Sequence, residues 1–266
     1  MSAPPAPAAA GPGAGEPLLR VTGAVKRFSG LTALAGADLT LAAGEVLGLI
    51  GPNGSGKTTL VNCVSGALRI DEGEIRLRGR DVTRASRARR ARSGIARTFQ
   101  NLKLFGDLTV RENVLVGRNA SPRGPSGGPS RDGGAAPAET PKDDVEGLLR
   151  DLRLEHVARE IVSTLSYGTQ RRVEIARALA GNPRVLLLDE PAAGLNDGET
   201  AELKDLIHLI RTERGCGVLV IDHDMNLVLG ISDRVQVLDE GTVIFEGEPR
   251  EAFEQPRVVA AYLGAQ

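Results

Sequence analysis

Val46-Leu47-Gly48-Leu49-Ile50-Gly51-Pro52-Asn53-Gly54-Ser55-Gly56-Lys57-Thr58 decides the fold. Five apolar residues run without a break and give way to G-x-x-x-x-G-K-[ST]. Leu60, Val64 and Ala67 then recur at helical spacing. A continuous apolar run of this length suits a strand covered on both faces of a parallel sheet. The glycines let the backbone curl until successive N–H groups converge on one anion, and the helix that follows points its positive end at the same place. Such a loop binds the phosphates of a nucleoside triphosphate: Lys57 reaches the β- and γ-phosphates, and the Thr58 hydroxyl is a ligand for Mg²⁺. The residues expected to cradle phosphate are Gly51, Pro52, Asn53, Gly54, Ser55, Gly56, Lys57, Thr58 and Thr59.

Outward from this loop the chain alternates short apolar runs with helical patterns. Val185–Leu188 and Val218–Ile221 read as two more buried strands, and Val173, Ala176 and Ala180 mark a helix between the first strand and these two. The result is an α/β parallel sheet whose strand ends, Asp189 and Asp222, lie at the carboxyl edge where open sheets bind ligands. Leu18–Val21 and Ala37–Leu41 alternate with period two and predict an antiparallel sheet near the start. After Val185–Leu188 come two carboxylates. Asp189 suits Mg²⁺, directly or through water, and Glu190 suits a general base for the attacking water.

Composition narrows the alternatives. With 33 basic and 34 acidic residues in 266, no global field holds the chain on a nucleic-acid backbone. Six arginines within Arg84–Arg97 lack interleaved aromatics and read as a solvated helix face, so no nucleic-acid partner is expected. No apolar run approaches the roughly 20 residues of a membrane helix, no secretory signal pattern opens the sequence, and two cysteines make neither a disulfide scaffold nor a metal knuckle. A reducing cytosol is the expectation. Residues 1–17 and 118–142 hold ten of the fifteen prolines and read as a disordered tail and a disordered internal loop.

Further segments carry a resemblance. Leu165-Ser166-Tyr167-Gly168-Thr169 resembles the LSGGQ signature of ATP-binding-cassette (ABC) proteins and lies ahead of Asp189, as in that family. Phe28 matches the adenine-stacking aromatic, Gln100 the Q-loop glutamine, Ala193–Asn196 the D-loop and His223 the switch histidine. With the phosphate loop and the acid pair these make seven motifs in order between residues 28 and 223. The resemblance implies a P-loop NTPase (RecA-like) core with an N-terminal antiparallel β subdomain and an inserted α-helical subdomain. The cassette would occupy 18–264, with its helical part at about 90–180. It also implies roles: Glu190, His223 and Gln100 in catalysis; Thr58, Gln100 and Asp189 around Mg²⁺; Phe28, Ser166 and Gly168 on ATP. Ser166 and the Gly168 amide open a helix and so form a second anion site. In the family that site closes over ATP held by another subunit, so a second cassette, the same chain or a sister, is implied. Tyr167, Thr169 and Asn196 depart from the consensus Gly, Gln and Asp.

Ile95–Phe105, Leu165–Arg177, Asp189–Asn196, Asp222–Met225 with Gly230–Arg234, and Ala261–Gly264 look like ATP-binding subunits of branched-chain amino-acid importers, with urea and short-amide importers close behind. This resemblance implies membrane permease subunits as direct partners, a solute-binding protein as an indirect one, and a peripheral place on the cytoplasmic face of the cell membrane. Asn101–Val116, with Leu102, Leu104, Phe105 and Leu108, would line the permease groove. Non-transport cassettes are the rival reading: DNA-repair types insert long coiled coils, and ribosome-associated types carry two cassettes per chain. A GTPase would show an Asn-Lys-x-Asp guanine reader, which does not follow the loop.

Overall fold

The computed structural model describes residues 16–118 and 145–263. The Pro- and Gly-rich stretches 1–17 and 118–142 therefore lie almost wholly outside the described residues. In chain order the elements are strands β1 (Leu19–Phe28), β2 (Leu31–Leu41) and β3 (Val46–Ile50), helix α1 (Lys57–Ser65), strands β4 (Glu72–Leu77) and β5 (Arg80–Asp81), helix α2 (Arg87–Ser93) and strand β6 (Ile95–Arg97). Helices α3 (Val110–Arg118), α4 (Val145–Asp151) and α5 (Tyr167–Leu179) follow, then strand β7 (Val185–Asp189), helix α6 (Asp197–Arg214) and strand β8 (Gly217–Ile221). Helix α7 (Met225–Ile231), strands β9 (Arg234–Asp239) and β10 (Thr242–Gly247) and helix α8 (Pro256–Leu263) complete the described chain.

The three apolar runs are the middle of a six-stranded sheet, ordered β10-β9-β3-β8-β7-β6. Its neighbours pair in parallel, except for β10, which turns back antiparallel on β9. Every residue of β3, β7 and β8 is buried. Alternate side chains divide between two cores, as the period of two requires. Leu47, Leu49, Leu187, Leu219 and Ile221 pack with Leu19, Leu39 and Ile75 of a four-stranded antiparallel sheet, β2-β1-β4-β5, with α1 between the layers. Val46, Leu186, Leu188, Val218 and Val220 face the helices through Val114, Leu149, Val173 and Ile207. Each fully buried leucine or valine contributes roughly 1.5–3 kcal/mol, so the sheet is fixed from both sides. The antiparallel sheet and the parallel core read from sequence are both present.

Two expectations are corrected. Helix α1 stops at Ser65, short of Ala67, because Gly66 takes a left-handed φ of 77°. The arginine run is not one solvated face. Arg87, Arg89 and Arg92 are exposed, but Arg90 is 1% exposed. Its guanidinium donates to the carbonyls of Cys63, Val64 (2.9 Å), Thr83 (2.8 Å) and Ala85 (3.2 Å). It satisfies the last carbonyls of α1, which a helix leaves without partners, and puts a cation at the negative end of that helix.

Both cysteines lie in these cores. Burial pushes the Cys63 thiol up to about 11 and the Cys216 thiol up to about 12, far from the thiolate that alkylating agents need. The native protein at pH 8 is expected to take up no iodoacetamide in an hour and two equivalents in guanidinium, counted by intact-mass spectrometry. Labelling of the native chain would show that one of the cores opens.

Candidate functional site

The phosphate loop joins β3 to α1 and is held from behind. Gly51 and Gly56 have φ of 147° and 106°, conformations that a side chain rarely tolerates. Space demands glycine as well: a Cβ on Gly51 would lie 2.0 Å from the Leu238 carbonyl oxygen, and one on Gly56 would lie 2.4 Å from that of Ala33. The Ser55 carbonyl accepts from Gly241 N, 2.9 Å, which pins the loop to the β9–β10 turn. The Lys57 ammonium curls over the loop and donates to the carbonyls of Gly51 (2.7 Å) and Pro52 (2.8 Å). Burial lowers its pKa from the ordinary lysine value, while the Glu190 carboxylate pulls it back up. No side chain caps the start of α1, so its first N–H groups are free for an anion. Thr58 is exposed and Thr59 half-buried on that first turn.

Glu190 follows β7 with a left-handed φ of 49°. That is an unusual backbone for a residue with a side chain, and such strain gathers where a side chain must be aimed. Its two carboxylate oxygens have separate partners: Gln100 Nε2 donates to Oε2 at 2.7 Å, and His223 Nε2 lies 2.8 Å from Oε1. Three of the motifs read from the sequence thus meet at one carboxylate, although they are 33 to 90 residues apart. Asp222, 5% exposed, accepts from Ala192 N and Asp224 N, both 2.9 Å, and fixes the start of the D-loop beside His223.

Asp189 sits one residue earlier and is paired with Arg97, Nη2 to Oδ2, at 2.7 Å. Arg97 also donates to Asn62 Oδ1 (2.6 Å) and Ser65 Oγ (3.2 Å) on α1, joining the acid pair to the helix of the phosphate loop. For Mg²⁺ the donor chemistry fits. Thr58 hydroxyl, Asp189 carboxylate and Gln100 amide are hard oxygens, and Mg²⁺ is held by one or two carboxylates together with substrate phosphates. Among the described residues no three His, Cys, Asp or Glu form a self-sufficient cage.

Phe28 ends β1 with 40% exposure, and Lys26 Nζ lies 5.3 Å from its ring centroid. Its free face suits a stacked base. Ser166 caps α5: its Oγ accepts from Thr169 N at 3.3 Å and lies 3.0 Å from Thr169 Oγ1. A Cβ on Gly168 would stand 2.2 Å from Glu199 Oε1, so a larger residue there would have to displace the Glu199 carboxylate. None of the hydrogen bonds described for Ser166 reaches the phosphate loop of its own chain. Asn196, the D-loop departure, completes a capping box with Glu199 at the start of α6 (3.0 and 3.1 Å).

Sequence reasoning placed Asp222 at the carboxyl edge without giving it partners, and gave no role to Arg97 or Asn113. Asn113 is fully buried and ties down the turn after Gln100 through Phe105 N (2.9 Å) and the carbonyls of Phe105 and Thr109 (both 3.0 Å). Arg97 reaches partners 32 to 92 residues away, contacts that no local spacing marks.

A glycine-rich loop between β3 and α1, an acid pair at the end of β7 and a serine-capped α5 define the class: a P-loop ATPase of the cassette type. Comparison with known proteins agrees. Residues 34–193 match the ABC transporter family. The chain is 43% identical over 252 residues to the high-affinity branched-chain amino acid transport ATP-binding protein LivG of Salmonella typhimurium, covering 94% of this chain and 98% of that one. It is 40% identical over 258 residues to BraF of Pseudomonas aeruginosa, which carries the same description, with the same coverage. The fold superposes with a TM-score of 0.80 on a crystal structure of the ADP conformation of an ATP-binding cassette of an ABC transporter, at 32% identity, over 94% of this chain and all of that one. A dimeric cassette in a post-hydrolysis state bound to ADP and Pi gives 0.70 at 27% identity, over 87% and 99%. The chain belongs to the ABC transporter family, as an ATP-hydrolysing subunit.

Arg97→Met leaves Asp189 buried without its cation, so the unfolding free energy is expected to fall by about 3–5 kcal/mol, read from denaturant melts. Asp189→Asn in the same chain should restore part of the loss. An Arg97→Met protein as stable as the parent would remove the pair from the fold's supports.

Proposed function

We propose that this chain drives uptake of branched-chain amino acids, as one of the ATPase subunits of an importer whose membrane permeases and solute-binding protein are separate chains. The observation that carries the catalytic half is the Glu190 carboxylate, gripped on both oxygens by Gln100 and His223 beside the phosphate loop. Identity of 40–43% over almost the whole chain to LivG and BraF supports the solute.

In this reading Phe28 stacks on adenine, and the loop Gly51–Thr59 with the first turn of α1 cradles the phosphates. Lys57 leaves its two carbonyl partners to pair with phosphate oxygens, a small rotation of a long side chain. Thr58, Asp189 and Gln100 would hold Mg²⁺, which supplies charge neutralisation along the triphosphate when bound. Glu190 takes a proton from water, and the Gln100 and His223 contacts fix its direction. Ser166 and the Gly168 amide of one cassette close over the triphosphate of the other, whether that partner is the same chain or a sister. No helix among the described residues is long and apolar enough to cross a membrane. Attachment at the cytoplasmic face would run through the segment after Gln100, where Phe105 is 50% exposed under the Arg177 guanidinium. One cassette over 18–264, with its helical part at about 90–180, belongs to the same proposal.

Glu190→Gln is expected to keep MgATP binding and lose roughly 10²–10⁴-fold in turnover, accumulating an ATP-dependent dimer visible by size exclusion with light scattering. Lys57→Ala should lose ATP binding. Undiminished hydrolysis by Glu190→Gln removes Glu190 from the role of base. For the solute, the reconstituted transporter should raise its ATP turnover with leucine and its binding protein; a response to urea alone would reassign the substrate.

A further inference from the structure

Arg171 lies on the second turn of α5 and is 1% exposed. A guanidinium so deeply placed persists only when most of its donors are met; here both Nη atoms have two partners each, while Nε has none. Nη1 donates to the Phe99 carbonyl and to Glu174 Oε2, both at 2.8 Å. Nη2 donates to the Gln100 carbonyl (3.0 Å) and to the Tyr167 hydroxyl (3.1 Å). Glu174, equally buried, spends its other oxygen on Lys103 N at 3.2 Å. Burial pushes the Glu174 carboxyl up, and the Arg171 charge opposes that push.

What this pair grips is specific. Phe99, Gln100 and Lys103 form the loop whose Gln100 side chain holds Glu190 at the chain's own phosphate site. Tyr167 immediately follows Ser166, the cap that faces the other phosphate site. The Tyr167 ring also lies against the D-loop: a Cβ on Gly194 would be 3.2 Å from its Cε1. One planar fork therefore spans two consecutive main-chain carbonyls of the first loop and the phenol of the second, a geometry that a lysine, with a single point charge, cannot copy.

We propose that Arg171, backed by Glu174, is a positioning residue that makes the Gln100 loop and the signature turn one mechanical body. A change at one triphosphate site then reaches the cap of the other. Neither side chain touches nucleotide; both act through the backbone they hold. The inference rests on the nucleotide contacts proposed above for Gln100 and Ser166.

The test uses the full-length chain. Turnover and MgATP affinity are measured for wild type, Arg171→Lys and Arg171→Gln. The expected order of kcat is wild type, then Lys, then Gln, with a loss of roughly tenfold or more at Gln, while the ATP Kd stays within about twofold because the phosphate loop is untouched. Unchanged kcat in either folded variant overturns the proposal. So does a kcat loss matched by an equal loss of ATP affinity, which marks a general folding role. Should the variants not fold, hydrogen exchange on wild type decides, at a concentration too dilute for dimers. Added MgATP should protect residues 99–103 and 166–171 together, whereas protection of 99–103 alone contradicts the coupling. A wild-type chain that neither binds nor hydrolyses ATP would instead sink the underlying functional reading, a distinguishable failure.

Discussion

The structure depends first on a steric constraint. The loop after β3 must curl within van der Waals reach of two other backbones, the Leu238 carbonyl below Gly51 and the Ala33 carbonyl below Gly56. Those two carbonyls come from different sheets. The loop is thus wedged where the antiparallel sheet and the β9–β10 hairpin meet, and Gly241 N adds a hydrogen bond to its Ser55 carbonyl. A surface turn of the same sequence would sample many shapes. This one has its N–H groups aimed before any anion arrives, so little ordering entropy remains to be lost on binding.

Around that loop the functional side chains are held by charges and amides contributed from afar. Arg97 ties the acid pair to the phosphate-loop helix, Gln100 and His223 share Glu190, and Arg90 closes the other end of the same helix. Most of their polar atoms have named partners, which is how such groups are kept inside a core without a large penalty; the Arg97 Nε is the exception, buried with no hydrogen-bond partner.

Much of this was legible in the sequence because it is encoded in contiguous residues. The curl of Gly51–Thr58, the unbroken apolar runs before it and before Asp189, and the Ser166 cap each specify their geometry within a few positions. The motifs at Phe28, Gln100 and His223 were legible through resemblance rather than through local physics. What escaped depends on contacts between distant positions. Arg171 meets Phe99 and Gln100 across 72 and 71 residues, and Arg97 meets Asp189 across 92. The arginine run before Gln100 misled for the same reason: spacing shows which side chains share a helix, and only packing shows that Arg90 points inward. The β9–β10 pairing at the sheet edge was likewise absent from the reading, since its half-buried strand β10 lacks a clean alternation.

The central claim is that the wedged loop is a preformed triphosphate site. Its most direct test is calorimetric titration of the purified chain with MgATP, alongside a Gly51→Val chain in which the added side chain must strike the Leu238 carbonyl. The account predicts one nucleotide bound per wild-type chain and no binding heat from the folded variant. Equal binding by the two, or no binding by wild type at millimolar MgATP, would contradict it.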